Sequence, residues 1–283
     1  QCLRVSRTMQ RYPHADEYVR VTIVGGGATG VELAAELYNA AAELRHYGLE
    51  VFDESRLKVS LLEAGPRILP ALPEDLSEAA TEELRSLGVD VRVNAQVEEV
   101  TPYGMKIKGG ETIPGDLKIW AAGVKAPEFL KDIAGLETTR NNQLVVRPTM
   151  QTTRDDRIFA IGDCAFFKPD GAERPVPPRA QAAHQMAETV FTNLCASVSG
   201  RPLKSFIYKD YGSLVSLSKF STVGSLMGSL VGGRMAVEGR AARFMYVSLY
   251  RMHLIAIHGW LRGLFMILVG HVNQVVRPKL KLH

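Results

Sequence analysis

The chain has 283 residues, 46% of them apolar and 23% charged, with 34 Lys and Arg against 30 Asp and Glu. That length supports one large or two ordinary domains with buried cores, and so mild a positive balance, without a Lys/Arg block or a base-stacking module, argues against a nucleic-acid partner. Three cysteines, Cys2, Cys164 and Cys195, form no CxxC pair; they exclude a disulfide framework and a cysteine zinc site, no metal is expected, and a reducing compartment is the natural setting.

The sequence opens QCLRVSRTMQRY, with neither an initiator Met nor a targeting pattern, and reads as a fragment or processed product. Residues 1–18 have helical character that ends near Pro13. VRVTIV (19–24) is a short β-branched run suited to a buried parallel strand. A glycine turn follows, and a helix is expected from Thr29 to about His46, where VELAAELYNAAAELRHY has helix formers throughout and no Gly or Pro. KVSLLEA (58–64) is predicted as the next strand, LSEAATEELRSLG (76–88) as a helix with a Gly stop, and VDVRVN (89–94) as a strand. Next, PYG, KGG and PGD break QVEEVTPYGMKIKGGETIPGDLKIWAAG into a meander of short strands. Alternating strands and helices imply an α/β dinucleotide-binding domain. IFAIGDCA (158–165) is expected as an apolar strand ending in Gly-Asp, PVPPRAQAAHQMAETVFTNLCASV as a proline-marked entry to an Ala-rich helix, and SLVSLSKFSTVG (213–224) as a hairpin.

The turn GGGATG carries the first chemistry. Gly25 permits the tight turn, Gly27 lets backbone approach a pyrophosphate, and Gly30 lets helix and strand pack closely. The helix start offers unpaired N–H groups and a positive dipole end to phosphate. Glu63, closing the second strand, is placed to accept hydrogen bonds from an adenosine ribose and to repel a 2′-phosphate, which favours NADH over NADPH. Its distance from the glycines exceeds the usual spacing because of the insertion HYGLEVFDESRLK, and Arg67 stands nearby as a charge of opposite preference. Glu32, two residues beyond the turn, reads as an acidic first-turn residue favoured by the helix dipole.

GGGATGVELAAEL, IWAAGVKAPEFL, IFAIGDCA and PVPPRAQAAHQMA, with KDYGSLVSLSKFSTVGSLMG, together resemble the two-dinucleotide-binding flavoproteins, and within them the bacterial type II NADH dehydrogenases. The resemblance implies that Gly25, Gly26, Gly27, Gly30 and Glu63 bind NADH and that Ala122 and Gly123 lie in a backbone loop near the nicotinamide. It implies that Gly162 and Asp163 hold FAD, that Ala180 and Gln181 sit against the flavin ring, and that Gln185 lines a quinone pocket. It also gives Glu32 a role as proton relay. A complete member carries an earlier glycine fingerprint for the FAD adenosine-diphosphate half, whereas this sequence has one fingerprint only. The implied fold is α/β, a Rossmann-like NADH-binding domain (19–125) with part of a FAD-binding Rossmann-like domain (a remnant at 1–18 and a second half at 126–205). A C-terminal membrane-association region with a hairpin and amphipathic helices (206–283) completes it.

RFMYVSLYRMHLIAIHGWLRGLFMILVGHV (243–272) is apolar but interrupted by Arg251, His258 and Arg262, which fall on one face of a continuous helix. Tyr246, Leu249, Ile257, Leu261, Leu264 and Leu268 fall on the other. With Trp260 and the basic Arg277, Lys279 and Lys281, this pattern suits a helix lying in a bilayer surface; a core helix or a dimer interface, hence a homodimer, is the alternative. Gly259, Gly263 and Gly270 would permit a break, and His253, His258 and His271 have no metal-ligand spacing. The expected function is that of a respiratory, non-proton-pumping NADH:quinone oxidoreductase, peripheral at the cytoplasmic face of the inner membrane, with FAD as cofactor and membrane quinone as partner. The alternatives are a soluble flavoprotein reductase of a disulfide or small redox protein, and a non-catalytic NADH-binding fragment.

Overall fold

The computed structural model describes residues 5, 8, 11, 17–43, 54–217, 222–228 and 233–238, and in the tail 247, 248, 251, 252, 254, 255 and 257–276. These belong to two compact units, one made of Gln1–Ala122 with Gly212–His283 and one of Gly123–Tyr211.

The first unit is built on a parallel sheet. Strands β1 (Val19–Val24), β2 (Leu57–Leu62) and β3 (Asp90–Arg92) are laid outward in turn, and after an excursion the chain returns on the other side of β1 as β7 (Leu117–Trp120), giving the order β3-β2-β1-β7. The excursion is the expected meander: β4 (Val97–Val100), β5 (Gly104–Ile107) and β6 (Thr112–Pro114) form an antiparallel sheet around Met105 and Ile113. In the ladder Val24 stands opposite both Leu62 and Trp120, so β1, β2 and β7 end level with one another. The residues that follow them, Gly25, Glu63 and Ala121, therefore emerge at one edge, where the strand order reverses. That is the edge at which open α/β sheets bind ligands.

Helices α1 (Ala28–Glu43) and α2 (Glu74–Ser86) join the same core as the sheet. Val31, Ala34 and Ala35 of α1 and Leu76, Ala80 and Leu84 of α2 are buried with Val21, Ile23 and Leu61. Small residues on α1 let it approach the strands closely. Tyr38 of α1 is buried, and its hydroxyl donates to the Gly88 carbonyl at 2.7 Å, with the Leu57 carbonyl a longer second acceptor at 3.4 Å. Burial pushes its phenol up from the ordinary value. Tyr38→Phe leaves both carbonyls without that donor, and should cost about 1–2 kcal/mol as a lower urea midpoint at unchanged slope.

The expected hairpin exists. Strand β10 (Gly212–Ser216) pairs antiparallel with β11 (Thr222–Gly228), and β12 (Gly233–Glu238) adds a third strand. Val215 and Leu217 are buried in the same core as α1 and α2. At the N-terminus Val5, Thr8 and Arg11 are helical and Val5 is fully buried; the rest of 1–16 and the inserted 44–53 lie outside the described residues.

In the second unit the strand expected over 158–165 is largely absent. Phe159 makes one isolated bridge to Gln151, Gly162–Cys164 is a 3-10 turn, and only β9 (Ala165–Phe166) pairs, with β8 (Leu144–Val145). Ala160 and Ala165 are buried with Met150, Phe167, Met186 and Phe206, Ile158 and Phe159 pack partly against them, and Ile161 is exposed. Helix α3 (Ala180–Val198) is the unit's long element. It is tied down by buried Asn193, whose amide donates to the Thr149 and Lys204 carbonyls and accepts from the Lys204 N–H, at 2.8–3.0 Å.

The tail corrects the continuous-helix reading. Gly259 takes φ +78°, a conformation open to glycine, and α4 (Trp260–Val276) begins after it. A Cβ on Gly263 would lie 2.9 Å from the Ile255 Cα, whereas eight residues of straight helix would separate the two by about 12 Å. The chain thus doubles back at Gly259. Arg251 and His258 precede the break and Arg262 follows it, so they do not share one face of a single helix. Trp260, Leu261, Leu264, Phe265 and Leu268 of α4 are exposed. Among the described residues no helix is long and apolar enough to cross a membrane. Tyr246, Leu249, His253, Arg277, Lys279 and Lys281 lie outside the described residues.

Candidate functional site

At the sheet edge of the first unit each glycine of the turn has a separate task. Gly25 sits at φ +111°, donates to the Leu62 carbonyl at 2.8 Å, and a Cβ there would stand 2.8 Å from the Ala122 nitrogen. A Cβ on Gly30 would land on the Gly25 carbonyl oxygen, so α1 is packed on the turn with no room for a methyl. Gly27 is the opposite case: a Cβ would meet nothing within 4 Å. The open space lies beside Gly27, whose carbonyl accepts the Val31 N–H at 3.0 Å as α1 begins. A 16-residue helix starting there presents its unpaired first-turn amides.

Glu63 is bound into the same turn. One carboxylate oxygen accepts the Gly26 N–H and the other the Gly65 N–H, each at 2.7 Å. Each oxygen keeps a second lone-pair direction for a ligand hydroxyl. Gly26 therefore acts through its N–H, a part that the glycine spacing did not reveal. Arg67, the nearby cation, does not stand ready for a 2′-phosphate: its guanidinium donates to the Leu69, Pro70 and Leu72 carbonyls at 2.9–3.4 Å and braces that loop. Glu32 is half-buried in the second turn of α1, because the helix starts at Ala28. The macrodipole, which fades within the first turn, does not account for it. An open space beside Gly27, amides at a helix start and a fixed carboxylate fit a pyridine dinucleotide with an unphosphorylated ribose.

The loop after β7 closes on this turn. Ala121 donates to the Val24 carbonyl at 2.8 Å, and the exposed Trp120 donates its indole N–H to the Ala122 carbonyl at 2.9 Å. Ala122 thus lies against Gly25, and Gly123 follows at φ +74°.

The second unit gathers the other predicted residues around α3. The Gly162 N–H points at the Met186 sulfur at 3.3 Å, and the Asp163 carbonyl accepts from Gln143 at 3.1 Å. The Asp163 carboxylate is exposed, and among the described residues none donates to it. Ala180 opens α3 after an extended Arg179, and no side chain caps the helix start. An uncapped helix start and an unclaimed carboxylate on the turn packed against it fit part of a flavin site.

Gln181 and Gln185, one turn apart, both grip the segment 209–211. The Gln185 amide makes a two-way pair with the Lys209 backbone, donating and accepting at 2.9 Å. Gln181 accepts the Tyr211 N–H at 3.1 Å and donates to Asp210 at 3.4 Å. Asp210 also pairs with Arg179 at 3.3 Å. Among the described residues the buried Tyr208 hydroxyl has no hydrogen-bond partner; burial raises its pKa, Asp210 adds to this and Arg179 opposes it. Sequence reasoning missed Gly65, Arg179, Asp210 and Trp120. An Arg immediately before AQAAHQ and an Asp before the β10 strand were the available signals for the ion pair.

The family model described as pyridine nucleotide-disulphide oxidoreductase matches residues 1–187. The chain belongs to that family. It is 51% identical over 265 residues to a type II NADH:quinone oxidoreductase of Haemophilus influenzae, an alignment covering 94% of this chain and 60% of that protein. A type II NADH:quinone oxidoreductase of Staphylococcus aureus is 31% identical over 78% of this chain and 55% of its own length. The resemblance drawn from the motifs is borne out by these relatives, and the chain spans about 60% of their length or less. Among solved structures, NDH2 of Plasmodium falciparum in complex with NADH superposes with a TM-score of 0.74 at 19% identity, covering 96% of this chain and 69% of that one. That likeness establishes the α/β, Rossmann-like fold of the family expected from the sequence.

Proposed function

We propose that the chain serves a respiratory NADH:quinone oxidoreductase that moves no protons across the membrane, with NADH and FAD as its cofactors. The observation that carries this is the 51% identity to the Haemophilus enzyme over nearly the whole chain, and the open space beside Gly27 at the start of α1 supports it. When bound, FAD would supply the two-electron relay of the net reaction, NADH + H⁺ + quinone → NAD⁺ + quinol. Gly25, Gly27 and Gly30 shape the NADH seat, Glu63 fixes the Gly26 amide and reads the ribose, and Ala122 and Gly123 bound its far side. Asp163 and the amides at the start of α3, Ala180 and Gln181 among them, would hold the flavin. Gln181 and Gln185 set the segment 209–211 beside it, and in this reading line the quinone approach. The domain assignment that follows is 19–125 for NADH and 126–205, with 1–18, for FAD. Residues 206–283 are assigned to association with the cytoplasmic face of the inner membrane, for which the exposed apolar residues of α4 are the support.

Glu32 is proposed as a proton relay to the quinone. With FAD-loaded protein, Glu32→Gln is expected to slow the reoxidation of reduced flavin by a soluble quinone at least tenfold, about 1.4 kcal/mol of barrier. Flavin reduction by NADH should change less than twofold. Rapid-mixing absorbance reads the two half-reactions separately, and equal slowing of both would refute the relay.

A further inference from the structure

We propose that Trp120 is a positioning residue of the coenzyme site, latching the 121–123 loop so that it presents its backbone to the nicotinamide half of the dinucleotide. The inference rests on the NADH reading of the glycine turn and deepens it. Trp120 closes β7 opposite Val24, immediately before the loop, and 59% of its surface is exposed. Core packing therefore does not account for a residue of this size at that place. What the indole does is specific: its N–H donates to the Ala122 carbonyl, two residues on, at 2.9 Å.

That bond fixes the plane of the Ala122–Gly123 peptide. The peptide is trans, so the Gly123 N–H points opposite to the latched carbonyl. Among the described residues none accepts from it. The loop is held at its other end by Ala121 on the Val24 carbonyl, and its backbone is so near Gly25 that a Cβ there would come within 2.9 Å of Ala121. Latch, ladder bond and glycine turn together define one rigid wall, with a donor left over for a ligand acceptor. A carboxamide oxygen is such an acceptor.

The test compares two probes on the full chain, NADH and ADP-ribose, the latter lacking the nicotinamide. Trp120→Phe keeps an aromatic ring and removes the N–H. Losing one positioning hydrogen bond should raise the NADH Kd about fivefold, with ADP-ribose affinity and melting temperature unchanged. Equal weakening of both probes, or an unchanged NADH Kd, would overturn the latch. If the unsubstituted chain binds neither probe, the coenzyme-site reading itself fails and the inference with it.

A second measurement does not depend on that variant folding. Trp120 and Trp260 are the two tryptophans, so in a ¹⁵N-labelled Trp260→Phe chain a single indole N–H resonance remains. It should shift with NADH and stay in place with ADP-ribose; a resonance indifferent to NADH would contradict the proposal.

Discussion

Gly30→Ala is expected to destabilise the chain by at least about 2–3 kcal/mol, the cost of forcing a methyl into packed surroundings that cannot yield, while Gly27→Ala should leave stability unchanged or slightly raised. The contrast follows from what each methyl would meet. On Gly30 it lands on the Gly25 carbonyl oxygen, a backbone atom held by the turn, so either α1 or the turn must move. On Gly27 it enters open space, and φ there is not positive, so alanine adopts the conformation without strain and loses less chain entropy on folding. Binding reverses the ranking of innocence. In the proposed function a pyrophosphate enters the space beside Gly27, so filling it should weaken NADH binding tenfold or more, about 1.4 kcal/mol. Urea unfolding and NADH titration of the two variants check both halves. A Gly27→Ala chain that binds NADH as tightly as the parent would remove the pyrophosphate from that space.

The second large effect belongs to Glu63. Glu63→Ala leaves the Gly26 and Gly65 amides without the carboxylate that now takes both at 2.7 Å. Hydrogen bonds to a charged partner contribute roughly 1.5–3 kcal/mol each, and water reaches this half-buried site, so a loss of about 2–4 kcal/mol is expected. Glu63→Gln separates structure from selectivity. The amide retains one acceptor oxygen, but its NH₂ faces a backbone donor, and the negative charge that opposes a 2′-phosphate is gone. Its preference for NADH over NADPH should fall about tenfold, corresponding to 1.4 kcal/mol, with a smaller loss of stability than in the alanine variant. Arg67 is occupied by three carbonyls, so it is not waiting to take the place of the lost charge. Parallel titrations with the two coenzymes measure this, and an unchanged preference would mean that something other than the carboxylate reads the ribose.

The strand, glycine turn and helix were legible because their signals are local. A six-residue β-branched run, glycines at fixed spacing and an uninterrupted helix dictate β1, the turn and α1 with little help from the rest of the chain, and the observed bounds Val19–Val24 and Ala28–Glu43 match them closely. Glu63 could be placed because a strand end is a geometric position, not a distance in sequence. What escaped depends on partners far along the chain. IFAIGDCA has the composition of a strand, yet among the described residues no long neighbour pairs with it; Ala160 and Ala165 are spent on the core with α3, Ile158 and Phe159 pack partly against it, and Ile161 is exposed. Gln181 and Gln185 were named from a motif, but their grip on Lys209 and Tyr211 joins residues that only tertiary packing brings together. In the tail, helical periodicity was extended through Gly259, where one backbone torsion turns the chain back and invalidates the face assignment beyond it.

In the proposed function electrons pass from NADH through a bound flavin to quinone. The most direct measurement is an anaerobic optical titration of the purified chain supplied with FAD, first with NADH and then with a soluble quinone. Retained flavin absorbance is expected to bleach with one equivalent of NADH and to return with one equivalent of quinone. A chain that binds NADH but never holds flavin, or a flavin that bleaches and does not return with quinone, would contradict it.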